Sequence, residues 1–336
     1  MRYSNIKKSV VEQFKAPQGH KIVPFILGAP GGGKSACARE IMDELGLDHV
    51  VEFTASLRDP VDVLGTPNNT GEYTRWVPPE EFYKLRKGRV GLILEELSDA
   101  PIPMQNALCG VVYDRRAGNL MLANEQTPED VLFIIATGNR TEDKSGANRI
   151  TSKLANRTRR FDFVENIDDW TEWALDADID PVLIQFLRFR PGLLSDFDAN
   201  RFANPTPRAW ERVDLIPASL DSSLFFDNVA GEVGEGAAAE YTGFRRIYMS
   251  LPDVDSILLD PANADVPQDP ATLYALTGAL ARKSTKDNFD RVSKYLSRMS
   301  PEFNVMATKD AIKLQPTIKH SRAFVEWASK NAEVLM

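Results

Sequence analysis

Cysteine is nearly absent from this chain, with two in 336 residues, at positions 37 and 109. Two thiols on separate predicted helices cannot build a disulfide framework. Both read as small buried residues of a protein kept in a reducing compartment. Histidine is almost as scarce: His20, His49 and His320 are scattered without metal-ligand spacing, which argues against a zinc enzyme. No apolar run approaches the ~18 residues that a membrane span needs. The basic residues near the N-terminus are followed by no apolar stretch, so no secretory signal is expected and the cytoplasm is the simplest location. Positive charge is also in deficit, with 40 Lys+Arg against 48 Asp+Glu, a net charge of −8 and a pI near 5.2. That balance weighs against broad non-specific nucleic-acid binding, although it leaves room for a local basic patch. Internal repeats and low-complexity tracts are absent. What remains is ordinary for a soluble globular chain of one large domain or two: 43% hydrophobic and 26% charged.

Against this plain background one segment stands out. Residues 28–35, GAPGGGKS, fit the pattern G-x-x-x-x-G-K-[ST] of phosphate-binding loops. Within the loop Gly28, Ala29, Pro30, Gly31, Gly32 and Gly33, the three adjacent glycines let the backbone fold tightly, with N–H groups turned around an anionic guest. Lys34 is then within reach of the β- and γ-phosphates, and the Ser35 hydroxyl is a ligand for Mg²⁺. The flanks agree with this. Residues 22–27 read as a short buried strand, and 34–45 as a helix starting with Lys34, Ser35 and Ala36, whose positive N-terminal end faces the phosphates. Gly46 supplies its stop signal. The segment predicts a nucleoside triphosphate site.

Further strands are expected at 49–53, 91–94 and 131–136, the last two as continuous apolar runs typical of strands buried on both faces of a parallel sheet. Helices are expected at 78–87 and 103–114, and the alternation gives an α/β domain over residues 1–165, closing with an edge strand at 161–164. Residues 166–336 offer no strand. Helices are expected there at 181–188, 207–215, 234–251, 270–282, 285–298, 309–314 and 320–332, with 251–270 as a proline-rich linker or exposed loop. Residues 270–336 look amphipathic, which suits packing on the lid, an inter-subunit contact or the docking of a partner, with packing the plainest of the three.

Two more strand tips carry chemistry. The apolar run ending in Glu95-Glu96 offers one carboxylate to support Mg²⁺ (Glu95) and a second to polarise attacking water as general base (Glu96). The run VLFIIATGN ends at Asn139, a neutral amide able to hold water or the γ-phosphate without competing for the metal. Taken alone, Gly138-Asn139 is an ordinary turn pair.

The order of these pieces resembles the AAA+ ATPase superfamily, and specifically its MoxR-like branch. GAPGGGKS at 28–35, LILEEL at 92–97, IIATGN at 134–139, LANR at 154–157 and TPRAW at 206–210 carry the resemblance, which covers roughly residues 20–215. It implies an AAA+ αβα domain with a parallel sheet, followed by an all-α lid and a C-terminal helical region. Gly28 through Ser35 are then the Walker A loop, Glu95 and Glu96 the Walker B pair, and Asn139 the sensor of the γ-phosphate. Arg157 is the arginine finger that reaches a neighbouring subunit's ATP, and Arg208 the second sensor, which reaches its own subunit's nucleotide. Arg159 and Arg160 stand close enough to leave the finger's identity open. One departure is plain: the family carries Asp-Glu where this chain has Glu95-Glu96. The extra methylene moves the metal-side carboxylate outward by roughly 1.5 Å.

The resemblance implies an ATP-hydrolysing ring motor, expected as a homo-hexamer with ATP and Mg²⁺ at subunit interfaces. It would remodel or activate a partner protein, with a von Willebrand factor A-domain protein as the implied type. Two alternatives share the ATPase core. One is a nucleic-acid translocase, hinted at by Arg115-Arg116 and Arg86-Lys87; the other is a nucleotide-gated scaffold with little hydrolysis. A small-molecule kinase would leave Asn139, Arg157 and the helical half unexplained. Two turn-rich segments are candidates for substrate contact: residues 57–80, with Tyr73 and Trp76, and residues 115–128, expected as a small hairpin.

Overall fold

The computed structural model describes residues 1–123, 129–143, 146 and 148–331. It resolves into two units, one formed by Met1–Asn166 with Phe197–Arg201, the other by Ile167–Asp196 with Phe202–Met336.

The first unit is built on five parallel strands: β1 (Val23–Gly28), β2 (His49–Thr54), β3 (Arg89–Glu95), β4 (Val131–Asn139) and β5 (Thr158–Asp162), arranged β2-β3-β4-β1-β5. Both sheet faces are covered, which explains why β1, β3 and β4 are apolar almost throughout. Side chains alternate between two cores. Leu92 and Leu94 of β3 point to one side, with Met104 and Leu108 of the helix α3 (Ile102–Cys109). Ile93 of β3 and Phe133 and Ile135 of β4 point to the other, against Ile6, Val10 and Phe14 of α1 (Tyr3–Lys15) and Cys37, Ala38 and Ile41 of α2 (Lys34–Glu44). By the two-residue period of a strand, Glu95 and Asn139 therefore face the α2 side of the sheet. From β1 the chain crosses to the far edge at β2, works back through β3 and β4, and ends with β5 on the other side of β1. The winding reverses beside β1, where open α/β sheets place their ligands, outside the carboxyl ends of the strands.

The second unit is helical among its described residues. It contains α4 (Ile167–Asp176), α5 (Pro181–Phe189), α6 (Pro207–Asp214), α7 (Ser222–Val233), α8 (Glu235–Met249), α9 (Val254–Leu259), α10 (Pro270–Lys283), α11 (Phe289–Leu296), α12 (Pro301–Leu314) and α13 (Arg322–Lys330). One core gathers Phe186, Trp210, Tyr241 and Phe244; another gathers Ile257, Leu280, Phe289 and Tyr295. The ion pair of Arg188 with the buried Asp310 joins α5 to α12. The fold class expected from the sequence is the one found: an α/β phosphate-loop domain on a parallel sheet, followed by a helical region. No helix among the described residues is long and apolar enough to cross a membrane.

Several expectations need correction. The stretch 251–270 is not a linker throughout. Asp253 caps α9 by accepting from the Asp255 N–H at 3.2 Å, and Val254, Ile257 and Leu258 are buried. The last strand of the sheet is Thr158–Asp162 rather than 161–164. The helix at 78–87 shrinks to Glu80–Tyr83, and that at 103–114 stops at Cys109 and continues as a wider turn over Gly110–Asp114. The helix at 309–314 starts earlier, at Pro301, where proline in the first turn follows Ser300. Cys109 is half-buried rather than buried. Within 57–80 the chain forms a short helix, Val61–Leu64, and an antiparallel hairpin of Thr66–Asn68 with Arg75–Val77. Tyr73 on this segment is 75% exposed and Trp76 46%. A second hairpin pairs Arg116–Ala117 with Leu120–Met121; the remainder of 115–128, from residue 124 on, lies outside the described residues. Likewise the helix expected at 320–332 is described as Arg322–Lys330, and residue 332 lies outside the described residues.

Candidate nucleotide site

The loop between β1 and α2 has the geometry that its glycines permit. Gly33 sits at φ +104°, a left-handed conformation that an L side chain rarely adopts, and no neighbour lies within 4 Å of a Cβ built there. Gly28 is glycine for a different reason: a Cβ there would come 3.0 Å from Phe163 Cβ and 3.2 Å from the Phe163 carbonyl oxygen. Gly33 is also the residue before α2, and no side chain caps that helix. Its first-turn N–H groups and positive end thus form, with the loop, the kind of anion site that helix N-termini make.

Lys34 is 9% exposed. Its ammonium donates to the carbonyls of Gly28 (3.0 Å) and Ala29 (2.7 Å) and to Asn139 Oδ1 (3.0 Å). Two residues predicted separately thus meet directly. The Asn139 amide is held on its other side as well, since Nδ2 donates to Asp99 Oδ2 at 2.8 Å. Its orientation is chemically forced, because lysine only donates and a carboxylate only accepts. The Asn139 backbone N–H donates to Ser98 Oγ (2.7 Å), whose hydroxyl donates to Asp99 Oδ1 (3.0 Å). Asp99 and Ser98 are functional neighbours that the sequence reading missed. The run Glu95-Glu96-Leu97-Ser98-Asp99 held the signal, a third acid and a hydroxyl beyond the strand tip.

The two glutamates diverge. Glu95, half-buried at the end of β3, accepts from Arg39 Nη2 at 3.2 Å. Arg39 is one helical turn beyond Ser35 on α2 and also makes a two-pronged contact with Glu52 of β2, at 2.8 and 2.9 Å. The hydrogen bond to Glu52, with a smaller contribution from Glu95, holds the Arg39 guanidinium above its ordinary pKa. Glu96 takes a left-handed φ of +53°, which turns the chain off the strand, and its exposed carboxylate accepts from the Ser56 hydroxyl. Glu165 is a further neighbour. A Cβ on Gly32 would meet its Oε1 at 2.1 Å, and that oxygen is buried with no hydrogen-bond partner.

Ser35 and Glu95 offer oxygen donors alone, the chemistry that suits Mg²⁺, which takes one or two protein oxygens alongside substrate phosphates. No cluster of three His, Cys, Asp or Glu side chains able to hold a metal unaided occurs among the described residues. The donor set therefore fits a nucleotide-borne Mg²⁺.

Arg157 is not at this site in its own chain. It immediately precedes β5, whose Thr158 pairs with Val23 at the start of β1, whereas the phosphate loop leaves β1 at its other end. Five residue steps of strand, about 16 Å, separate the two, farther than one arginine reaches. The guanidinium lies over the Tyr113 ring, 4.8 Å from its centroid, and donates to the Lys153 carbonyl at 2.9 Å. Arg159 donates to Gln13 at 3.1 Å, and Arg160 pairs with Asp162 at 2.7 Å. Arg208 belongs to the second unit. It is exposed in the first turn of α6, which Thr206 caps by accepting from the Ala209 N–H at 3.2 Å. Arg115, one of the hints of a basic strip, is 8% exposed and donates to the carbonyls of Val112 (2.9 Å) and His20 (2.7 Å); burial pushes its pKa down to about 10.

No protein-family model matches the chain, and no curated protein does. Among solved structures, NtrX from Brucella abortus is similar over 92% of this chain and 67% of its own, at 17% identity and a TM-score of 0.39. NtrX in complex with ATP gives 93% and 67%, at 16% identity and a TM-score of 0.39. The Thermotoga maritima RuvB Holliday junction branch migration motor is similar over 88% and 87%, at 15% identity and a TM-score of 0.38. These likenesses are too distant to transfer a residue role or an activity.

Proposed function

We propose that this chain is an ATP-hydrolysing motor of the AAA+ type, MoxR-like in its motifs, that works as a ring and remodels a partner protein. The observation that carries the proposal is the convergence of three features at the carboxyl ends of β1, β3 and β4: the uncapped helix after the glycine loop, the Lys34–Asn139–Asp99 chain, and the Glu95–Glu96 tip. Lys34 binds the β- and γ-phosphates. Asn139 shares its carbonyl oxygen with Lys34, so a phosphate drawn to that ammonium changes the hydrogen bonding of the amide, which makes Asn139 a sensor. Asp99 keeps the amide in register. Glu96, on its left-handed turn, takes the proton of the attacking water. Mg²⁺, when bound, neutralises charge on the β- and γ-phosphates, with Ser35 and Glu95 as its protein-side oxygens.

Arg157 acts in trans under this reading, and its distance from its own phosphate loop supports that assignment. All three arginines are engaged within their own chain, Arg157 with Lys153 and Tyr113, Arg159 with Gln13 and Arg160 with Asp162, so Arg157 is taken as the finger on its motif match alone. A guanidinium in that role contributes about 10³–10⁵ in rate. Arg208 is assigned the second-sensor role by its motif. A hexamer and a von Willebrand factor A-domain partner complete the proposal on the resemblance alone. The burial of Arg115 removes one support for a nucleic-acid translocase. A nucleotide-gated scaffold with little hydrolysis is the second reading, favoured by the contact that ties Glu95 to Arg39.

The test is ATP hydrolysis per subunit over a range of protein concentrations, with Arg157→Ala alongside. Specific activity that rises with concentration and collapses in the variant is expected. Concentration-independent activity indifferent to Arg157 would overturn the ring with shared sites. Tight ATP binding without hydrolysis would favour the scaffold.

A further inference from the structure

We propose that Arg39 is a releasable counter-ion that holds the metal-side carboxylate Glu95 until nucleotide and Mg²⁺ compete it away. This rests on the reading of Glu95 as the metal-side group. Arg39 occupies a specific place: it follows Ser35 by four residues on α2, so the two share a helix face, and its Nη2 reaches Glu95 Oε1 at 3.2 Å. One of the two proposed protein ligands of the metal, Glu95, is thus held by a cation that stands one helical turn from the other. A guanidinium beside the site disfavours a divalent ion, and the hydrogen bond it donates takes up Oε1 of Glu95 and fixes the direction of the carboxylate, so it opposes the turn toward the metal.

Glu52 makes the release feasible. The same Nη2 donates to Glu52 Oε2 at 2.9 Å, and Nε to Glu52 Oε1 at 2.8 Å. Register explains the geometry. Glu52 pairs with Ile93 and Thr54 with Glu95, so Glu52 and Glu95 project from neighbouring strands on the α2 side of the sheet. When Glu95 leaves, Arg39 keeps both bonds to Glu52, and no charge is stranded. The glutamate at position 95 acquires a reason as well, because its extra methylene extends the carboxylate toward α2. The planar guanidinium fork is needed to serve two carboxylates at once, which a lysine ammonium at this position would do poorly.

Affinity for a fluorescent ATP analogue, measured in EDTA and again in Mg²⁺, separates the metal's contribution from that of the loop. The ratio of the two affinities is the readout, and no turnover is involved. Arg39→Gln and Arg39→Lys should both raise that ratio, about five- to tenfold for a charge-assisted bond discounted for its partial exposure. Glu52→Gln should lower it by freeing Arg39 to grip Glu95. In a Glu95→Gln background the Arg39 substitutions should have no effect on the ratio. A ratio within twofold of the unmodified protein in both Arg39 variants overturns the proposal. So does an Arg39 effect that survives Glu95→Gln, since that is a general field effect. Binding in EDTA that is lost in Lys34→Ala keeps the nucleotide-site reading standing in either case. No binding in EDTA or in Mg²⁺ overturns that reading, and this proposal with it.

Discussion

Gly33 and Asp99 show how differently single residues secure the site. At φ +104° with open space around it, Gly33 is constrained by backbone conformation alone. Gly33→Ala forces a left-handed residue at a cost of about 1–2 kcal/mol. With open space around it, the unliganded loop relaxes out of that conformation and sheds the strain, which returns when nucleotide restores the loop; the expected result is a loss of nucleotide affinity of about tenfold, read by equilibrium titration, with little change in the thermal stability of the unliganded protein. Asp99 acts through Asn139, whose amide it holds at 2.8 Å while Lys34 holds the other end. Asp99→Ala leaves Lys34 and the loop intact but removes the acceptor that fixes the amide. Hydrolysis should fall on the order of 10²-fold, the scale of a misplaced group in a preorganised site, while KM for ATP changes little. An equal loss in KM would mean that Asp99 supports the loop itself. The sequence shows Asp99 as a third acid beyond the strand tip, but that it faces Asn139 was not legible, because this depends on a turn. Glu96 must adopt φ +53° and the Asp99 N–H must donate to the Glu96 carbonyl at 2.9 Å before the carboxylate faces Asn139.

Elements were legible where their pattern is local and strong. The buried strands β1, β3 and β4 announce themselves as apolar runs, and α2 by its glycine loop and following amphipathic turn. The order β2-β3-β4-β1-β5 was not legible, because it is decided by pairings between residues far apart in sequence. Short elements among proline and aspartate were misread for the opposite reason. In 251–270 the turn-forming residues outnumber the three apolar ones that matter, yet Val254, Ile257 and Leu258 pack into the core with Leu280 and Phe289. This difference is measurable. Ile257→Ala removes a side chain only 4% exposed and should destabilise the protein by about 2–4 kcal/mol in chemical denaturation. A surface loop residue would shift stability by less than about 0.5 kcal/mol.

At the scale of the whole molecule, the placement of Arg157 makes shared active sites a prediction with a sharp form. The residue stands at the amino-terminal end of β5, the phosphate loop at the carboxyl end of β1, and a single chain cannot bring them together through its own sheet. If Arg157 serves a neighbour's nucleotide, each complete site draws Glu96 from one subunit and Arg157 from another. Glu96→Gln alone should then be inactive because every site lacks its base, and Arg157→Ala alone because every site lacks its finger. Mixing the two before assembly creates interfaces where an Arg157→Ala subunit supplies Glu96 and a Glu96→Gln subunit supplies Arg157. Hydrolysis should reappear in the mixture and vary with the mixing ratio, with a maximum near equal proportions. Activity that stays at the sum of the separate variants would mean that no such interface forms and that Arg157 serves only to present its guanidinium against Tyr113. The same mixtures made with Arg159→Ala in place of Arg157→Ala test the finger's identity, since a substitution away from the finger leaves that variant active on its own.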